Sequence, residues 1–130
     1  PMNIPKPYID NLNLVVFMSA VRLPDGRTGR RVTSVNEIIG YDSESNTFGY
    51  IEVFRWDPGT DTFEFPGYMN TNLLEDVVAT RRGIAPGDNQ AIYGQLLERA
   101  DVLRRLHEKG VNDFHDLHHA LSQANRKGHI

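Results

Sequence analysis

The chain contains no cysteine. Disulfide frameworks, thiolate zinc sites and cysteine nucleophiles are therefore excluded together, and the composition suits a reducing compartment. Long apolar runs are missing as well. The longest, Leu14-Val15-Val16-Phe17-Met18, has the length of a strand and falls far short of the ~20 residues a membrane span needs. Lys6 is not followed by a long apolar region with a small-residue cleavage site, so no signal peptide is read here. There is no excess of positive charge: the net charge is -3 and the pI about 5.9, which argues against a general nucleic-acid partner. Phosphate-cradle and hydrolase signatures (GxxxxGK[ST], GxGxxG, GxSxG) do not occur, and Ser19, Ser34, Ser43, Ser45 and Ser122 have no triad context. Residue chemistry thus assigns no catalytic, cofactor or metal site.

What is present is a globular composition, 39% apolar and 24% charged, in 130 residues. That length fits one domain over 1–130 and a genuine core, roughly two-thirds of the unfolded surface being buried. The opening Pro-Met-Asn reads as part of a longer protein. Near Pro66-Gly67 the character of the sequence changes. Before it, β-branched and aromatic residues are punctuated by turns; after it come three helical patterns. This order predicts an α+β fold, an antiparallel β-meander of about four strands followed by three α-helices, the last two a helical hairpin.

The strands are expected at about 13–23, 30–41, 47–56 and 62–65, separated by Pro24-Asp25-Gly26, the Asp42–Asn46 loop and Asp57-Pro58-Gly59-Thr60. Loops this short force antiparallel neighbours. The first strand is apolar on both faces, as expected of a central strand covered on both sides. In the second, Val32 and Val35 fall on opposite sides, which suggests a bulge. The helices are expected at about 72–82, 89–109 and 113–127. Their caps are expected at one of Asn70, Thr71 and Asn72, at Asp88 and at Asn112, with Gly83 and Gly110 ending the first two. Ile92, Leu96, Leu97, Ala100, Leu103 and Leu106 form the apolar face of the second, and Phe114, Leu117, Ala120, Leu121 and Ala124 that of the third. No internal repeat stands out.

Several groups of residues suggest chemistry, and each has a plainer reading. Asp42-x-Glu44-x-Asn46 begins like a calcium loop, but Thr47 replaces the sixth-place glycine and Val53 the twelfth-place glutamate. Asp57 before Pro-Gly is ordinary turn chemistry. His115, His118 and His119 share a helix face at i, i+3 and i+4, yet a third dedicated metal ligand is not evident; Asp116 or His107 would have to supply it through the fold. Arg27, Arg30 and Arg31, with Arg22, surround a hairpin turn and are the candidate interaction residues toward an acidic partner or phosphate, diluted by Asp25. Glu75 and Asp76 point apart on a helix and make poor acid–base partners. Phe54, Trp56 and Phe63 read as structural, with Trp56 at least partly buried.

The order of motifs is more specific than any one of them. Asn3-Ile4-Pro5, the apolar strand Leu14–Met18, Arg30-Arg31-Val32, Glu37-Ile38, Gly40-Tyr41-Asp42, Phe54-Arg55-Trp56-Asp57-Pro58 and Leu106-His107-Glu108-Lys109-Gly110-Val111 follow one another over nearly the whole chain. In this the sequence resembles the C-terminal part of the archaeal branch of type II/type IV secretion ATPases, the hexameric motors of secretion systems, type IV pili and the archaellum. The resemblance implies a coupling domain that relays ATP-driven motion to neighbouring subunits or a membrane platform protein, cytoplasmic and peripheral to the membrane through the parent complex. ATP and Mg would be bound by the parent only, because the Walker A, Walker B and histidine-box segments of that family lie upstream of these motifs. The alternative is a free-standing protein-binding adaptor on the same scaffold. Without the rest of the parent, some of Val15, Val16, Phe17 and Met18 are expected to lie open and to favour weak self-association.

Overall fold

A computed structural model describes Pro5, Tyr8 and residues 11–126. Asn3 and Ile4 of the first motif, Lys6, and Lys127 at the end of the third expected helix lie outside the described residues. The order of elements is β1 (Leu14–Arg22), β2 (Thr28–Asp42), β3 (Thr47–Asp57), β4 (Thr62–Glu64), a first helix, α2 (Asn89–Glu108) and α3 (Phe114–Arg126). The first helix opens as a π-helix over Leu73–Val78 and continues as the short α-helix Ala79–Arg81, here α1. Among the described residues this is the α+β order expected: four antiparallel strands in one sheet, then three helices. The chain forms two compact units, 1–78 and 79–130. They divide inside the first helix, not at Pro66-Gly67 where the composition changes.

In the first unit the strands lie in chain order, β1-β2-β3-β4, each antiparallel to the next. The expected bulge in β2 is present. Phe17 pairs Ser34 and Met18 pairs Val32, so Thr33 is the extra residue. A second bulge makes Val53 extra between the pairs Val35–Phe54 and Asn36–Glu52. This second bulge anchors the segment after β4. The Val53 carbonyl accepts the Gly67 N–H at 3.2 Å, and a Cβ at Gly67 would come within 2.8 Å of the Val53 Cα. Only glycine lets the chain return so closely over the sheet.

Residues paired across the strands share a face. One face carries Leu14, Glu37 and Ile51, and beyond the second bulge Val35, Phe54 and Trp56. Phe65 covers this side, stacked on Phe54 with ring centroids 4.2 Å apart, and Tyr68 meets Phe65 edge-on. Val53 and Trp56 are buried. The other face carries Val15, Phe17, Ser34, Asn36, Ile38, Tyr50 and Glu52, which line an open groove of about 400 Å³.

β1 departs from expectation. It is an edge strand, not a central one, and Val16, Phe17 and Met18 are all more than half exposed. Its pattern suits burial on both faces, but among the described residues Val16, Phe17 and Met18 remain open.

The first helix is capped by Thr71, one of the three candidates. Its Oγ1 accepts the Leu74 N–H at 3.3 Å, while the Glu75 carboxylate accepts the Thr71 N–H at 3.2 Å. The reciprocal acid sits four residues on rather than three, in keeping with the wider π-turn. In the second unit, Gly83 and Gly110 take positive φ, and Ile84 N–H to Ala79 O and Val111 N–H to Leu106 O close the expected helix ends. Two caps differ from expectation. The Asp88 side chain makes no cap hydrogen bond. α3 is capped by Asp113, not Asn112: Asp113 Oδ1 accepts the N–H groups of His115 at 2.8 Å and Asp116 at 3.2 Å. Asp113 is one residue nearer the first helical turn and so reaches both orphan donors. The expected apolar faces hold only in part. Ile92 is buried, but Leu97, Leu103 and Phe114 are more than half exposed. Leu103 shares the stripe of Ile92, Leu96 and the half-buried Leu106, so the helical period holds although Leu103 itself is uncovered.

Candidate interaction site

The described residues show one device used twice. In the β2–β3 turn, Asp42 Oδ1 accepts the Glu44 N–H at 2.9 Å and its Oδ2 the Ser45 hydroxyl at 2.6 Å; the Ser45 and Thr47 hydroxyls lie 2.6 Å apart. In the β3–β4 turn, Asp57 Oδ1 accepts the Gly59 N–H at 2.9 Å and its Oδ2 the Thr60 hydroxyl at 2.6 Å; the Thr60 and Thr62 hydroxyls lie 2.7 Å apart. The fifth residue of each turn, Asn46 or Asp61, is left-handed with φ 55°. Asn and Asp tolerate that conformation better than other side chains. The aromatic residue before each turn then donates back to it: Tyr41 Oη to Asn46 Oδ1 at 2.8 Å, and Trp56 Nε1 to Asp61 Oδ1 at 2.8 Å. The Asp42 and Asp57 carboxyls are consequently held below their usual range, first by the Ser45 or Thr60 hydroxyl and then by the turn amide.

Sequence reasoning misses this repeat. Tyr41-Asp42-x-x-Ser45-Asn46-Thr47-Phe48 and Trp56-Asp57-x-x-Thr60-Asp61-Thr62-Phe63 match in chemistry at every fixed place but in identity at only three. Both turns spend their first carboxylate on their own amide and hydroxyl, which accounts for the calcium-like spacing at Asp42.

The two turns differ in one respect. Asp61 carries a charge where Asn46 does not, and it recruits Arg31 from β2. Arg31 Nε reaches Asp61 Oδ1 at 2.8 Å, and a terminal guanidinium nitrogen reaches Oδ2 at 2.7 Å, a bidentate pair. The Arg31 guanidinium and then the Trp56 indole N–H hold the Asp61 carboxyl at about 2. Of the three candidate interaction residues, Arg31 is thus turned inward, into a clasp that joins β2, β3 and the β3–β4 turn. Arg27 is exposed and pairs with Asp25 at 2.6 Å, and Arg30 is exposed beside them. Among the aromatics named as structural, Trp56 is buried, Phe54 half-buried, and Phe63, though paired with Trp56 across the strands, exposed.

Glu37 is a second feature that sequence reasoning passes over except as a motif letter. It stands on β2, is 3% exposed, and its Oε1 accepts the Leu73 N–H at 2.8 Å, a second cap for the first helix supplied by the sheet. Apolar neighbours on both sides, Val35 and Ile38-Ile39, are the signal that this glutamate is buried.

The histidines stay apart from any such centre. His118, with Arg82 and Arg99, lines an open cleft of about 430 Å³, so its charged neighbours there are cations. The His119 Nε2 lies 2.7 Å from the Gln123 amide nitrogen, and His115 packs edge-on against Phe114. Among the described residues no group of three or more His, Cys, Asp or Glu side chains is placed to hold a metal ion. Nor, among them, is any helix long and apolar enough to cross a membrane.

No protein-family model matches the chain. It is similar to two proteins of Methanocaldococcus jannaschii. With the uncharacterized protein MJ0900 it shares 33% identity over 128 residues, 98% of this chain and 23% of that protein. With the uncharacterized protein MJ1287 it shares 37% identity over 108 residues, 82% of this chain and 37% of that protein. The chain therefore spans well under half the length of these archaeal relatives.

Proposed function

We propose that this chain is the C-terminal coupling module of a hexameric archaeal secretion or type IV pilus-type ATPase. In this reading it relays nucleotide-driven motion to neighbouring subunits and to a membrane platform protein, at the cytoplasmic side of the membrane, while ATP and Mg are bound by other parts of the parent. The observation that carries the reading is the ordered series of motifs from Arg30-Arg31-Val32 through Phe54-Arg55-Trp56-Asp57-Pro58 to Gly110-Val111. Two further facts support it. The archaeal relatives extend far beyond the matched segment, as a module within a larger protein requires. And the polar side chains of the repeated turns are spent on holding the turns together and, through Asp61 and Arg31, on joining β2 to the β3–β4 turn, which suits a part that transmits movement rather than one that reacts.

The test uses the full-length protein containing these residues. A phosphate-binding loop is expected upstream of them, with ATP hydrolysis by the whole protein and none by the isolated chain. Trp56→Ala in the whole protein should leave nucleotide binding intact and lower the assembly or secretion supported per ATP hydrolysed. A full-length protein without a nucleotide-binding loop overturns the motor reading and favours the protein-binding adaptor.

A further inference from the structure

Arg82 and Arg99 open on one cleft of about 430 Å³ within the second unit. Arg82 follows α1 and is exposed; Arg99 stands on α2 and is half-buried. A hydrogen bond explains why they meet. Arg82 donates from a terminal guanidinium nitrogen to Gln95 Oε1 at 3.3 Å. Gln95 and Arg99 are one turn apart on α2, so this bond draws Arg82 alongside Arg99. Its acceptor is a neutral amide, which leaves the charge of Arg82 uncancelled. Arg27, Arg31, Arg55 and Arg104 each have a carboxylate partner, whereas among the described residues Arg82 and Arg99 have none. Glu98 and Asp101, near Arg99 in sequence, line a different cleft with Arg105, and Asp101 pairs with Arg104. The other described wall is α3. His118, Ser122 and Asn125 stand at i, i+4 and i+7, on one face of that helix, and line the cleft with Leu121. The His118 ring stacks on Phe114 with centroids 6.3 Å apart. Ser122 brings a hydroxyl, Asn125 an amide NH₂ and His118 a ring nitrogen.

We propose that this cleft binds the phosphate group of a phosphate monoester. The dianion would lie between the Arg82 and Arg99 guanidiniums and accept from the Ser122 hydroxyl and the Asn125 amide. A carboxylate has two oxygens in one plane and is matched by a single guanidinium fork. Donors that come from three segments of the chain suit a group whose oxygens point in several directions. Two guanidiniums sharing one cleft also repel each other, and a dianion between them turns that repulsion into attraction. Water occupies roughly 30 Å³ per molecule, so the cleft has room for more than the phosphate, and the organic part of the ester would lie along Leu121. An extended polyanion such as nucleic acid is disfavoured by the net charge of -3. The site is formed within residues 82–125, and the inference does not depend on the motor reading.

The test is a titration of the isotope-labelled 130-residue chain with glycerol 3-phosphate, at an ionic strength held constant with sodium chloride and followed by NMR. Saturable shifts are expected at the Arg99 Nε–H, the Asn125 side-chain amide and the Ser122 N–H, with a dissociation constant on the order of millimolar for so small a probe. Arg99→Met should bind at least tenfold more weakly. Arg82→Met changes an exposed side chain, should leave the fold intact and should also weaken binding, which keeps the test decisive if the first variant folds poorly. Arg99→Lys keeps the charge without the planar fork and should recover only part of the affinity. Vesicles of phosphatidylcholine with phosphatidic acid present the same phosphate monoester on a membrane. Saturation by free glycerol 3-phosphate assigns the site to a soluble ligand, and binding to the vesicles alone assigns it to a lipid headgroup. Absence of binding to both probes, unchanged affinity in both methionine variants, or equal affinity for acetate would each overturn the assignment.

Discussion

The β2–β3 and β3–β4 turns share a backbone and a hydrogen-bond plan, yet they do different work. The first is local: Tyr41, Asp42, Ser45 and Asn46 hold one another within the turn. In the second, Asp61 in place of asparagine lets the same turn hold Arg31 from β2 as well as Trp56. One unit of charge at a left-handed position thus turns a local lock into a clasp across the sheet. The comparison teaches that the two aromatic residues, equivalent in the repeat, are unequal in the fold.

The largest effect should separate those aromatics. Trp56 is 8% exposed and tied by its indole N–H, so Trp56→Ala should destabilise the fold by ~3–5 kcal/mol. Tyr41→Ala, at a half-exposed position, should cost clearly less. Urea unfolding of both variants checks the order, and equal losses would erase the distinction. A smaller effect should come from exchanging the left-handed residues. Asp61→Asn keeps Oδ1 for Trp56 but removes the charge facing Arg31, so the melting temperature should fall. Asn46→Asp adds a charge to a turn that already holds itself together and should leave the melting temperature nearly unchanged. A cycle combining Asp61→Asn with Arg31→Met should show coupling, since the two changes remove one pair. The smallest and most specific effect is on pH dependence. The Asp61 carboxyl sits at about 2, below the ordinary value of 3.8. Its stabilisation is therefore complete above the ordinary value and is lost as the pH falls through the folded one. Stability should decline between about pH 4 and pH 2, and Asp61→Asn should flatten part of that decline. An unchanged acid profile in the variant would show that Asp25, Asp42 and Asp57, shifted in the same direction, account for it instead.

Turn chemistry is the most legible feature. Pro24-Asp25-Gly26 and Asp57-Pro58-Gly59 place the strand ends to within about two residues, because these residues act through their own backbone preferences and need no tertiary context. Gly83 and Gly110 mark helix ends for the same reason. The features that escape depend on distant partners. The pattern of Leu14–Met18 records a preference for burial on two sides, but no local pattern reveals whether a neighbouring layer exists; hence an edge strand reads as central. The Arg31–Asp61 pair joins residues thirty positions apart, and periodicity carries no trace of it. The repeated turn escapes for another reason: Ser for Thr, Asn for Asp and Tyr for Trp preserve the hydrogen-bond plan while changing the letters.

Chain order in the sheet bears on how the molecule is made. Every strand pairs with its immediate predecessor or successor, so each pairing closes a short loop and none waits for a distant segment. β2 can lock onto β1, and β3 onto β2, as soon as each leaves the ribosome. Among the described residues, the strand made first keeps a free side when the sheet is complete, as β4 does at the opposite edge. From Leu14 to Val21 it carries neither a charge nor a proline, the usual guards of an open edge. Correct folding of this sheet therefore does not end its vulnerability during synthesis: a finished nascent domain still offers β1 to its neighbours on the same polysome until other chain covers it.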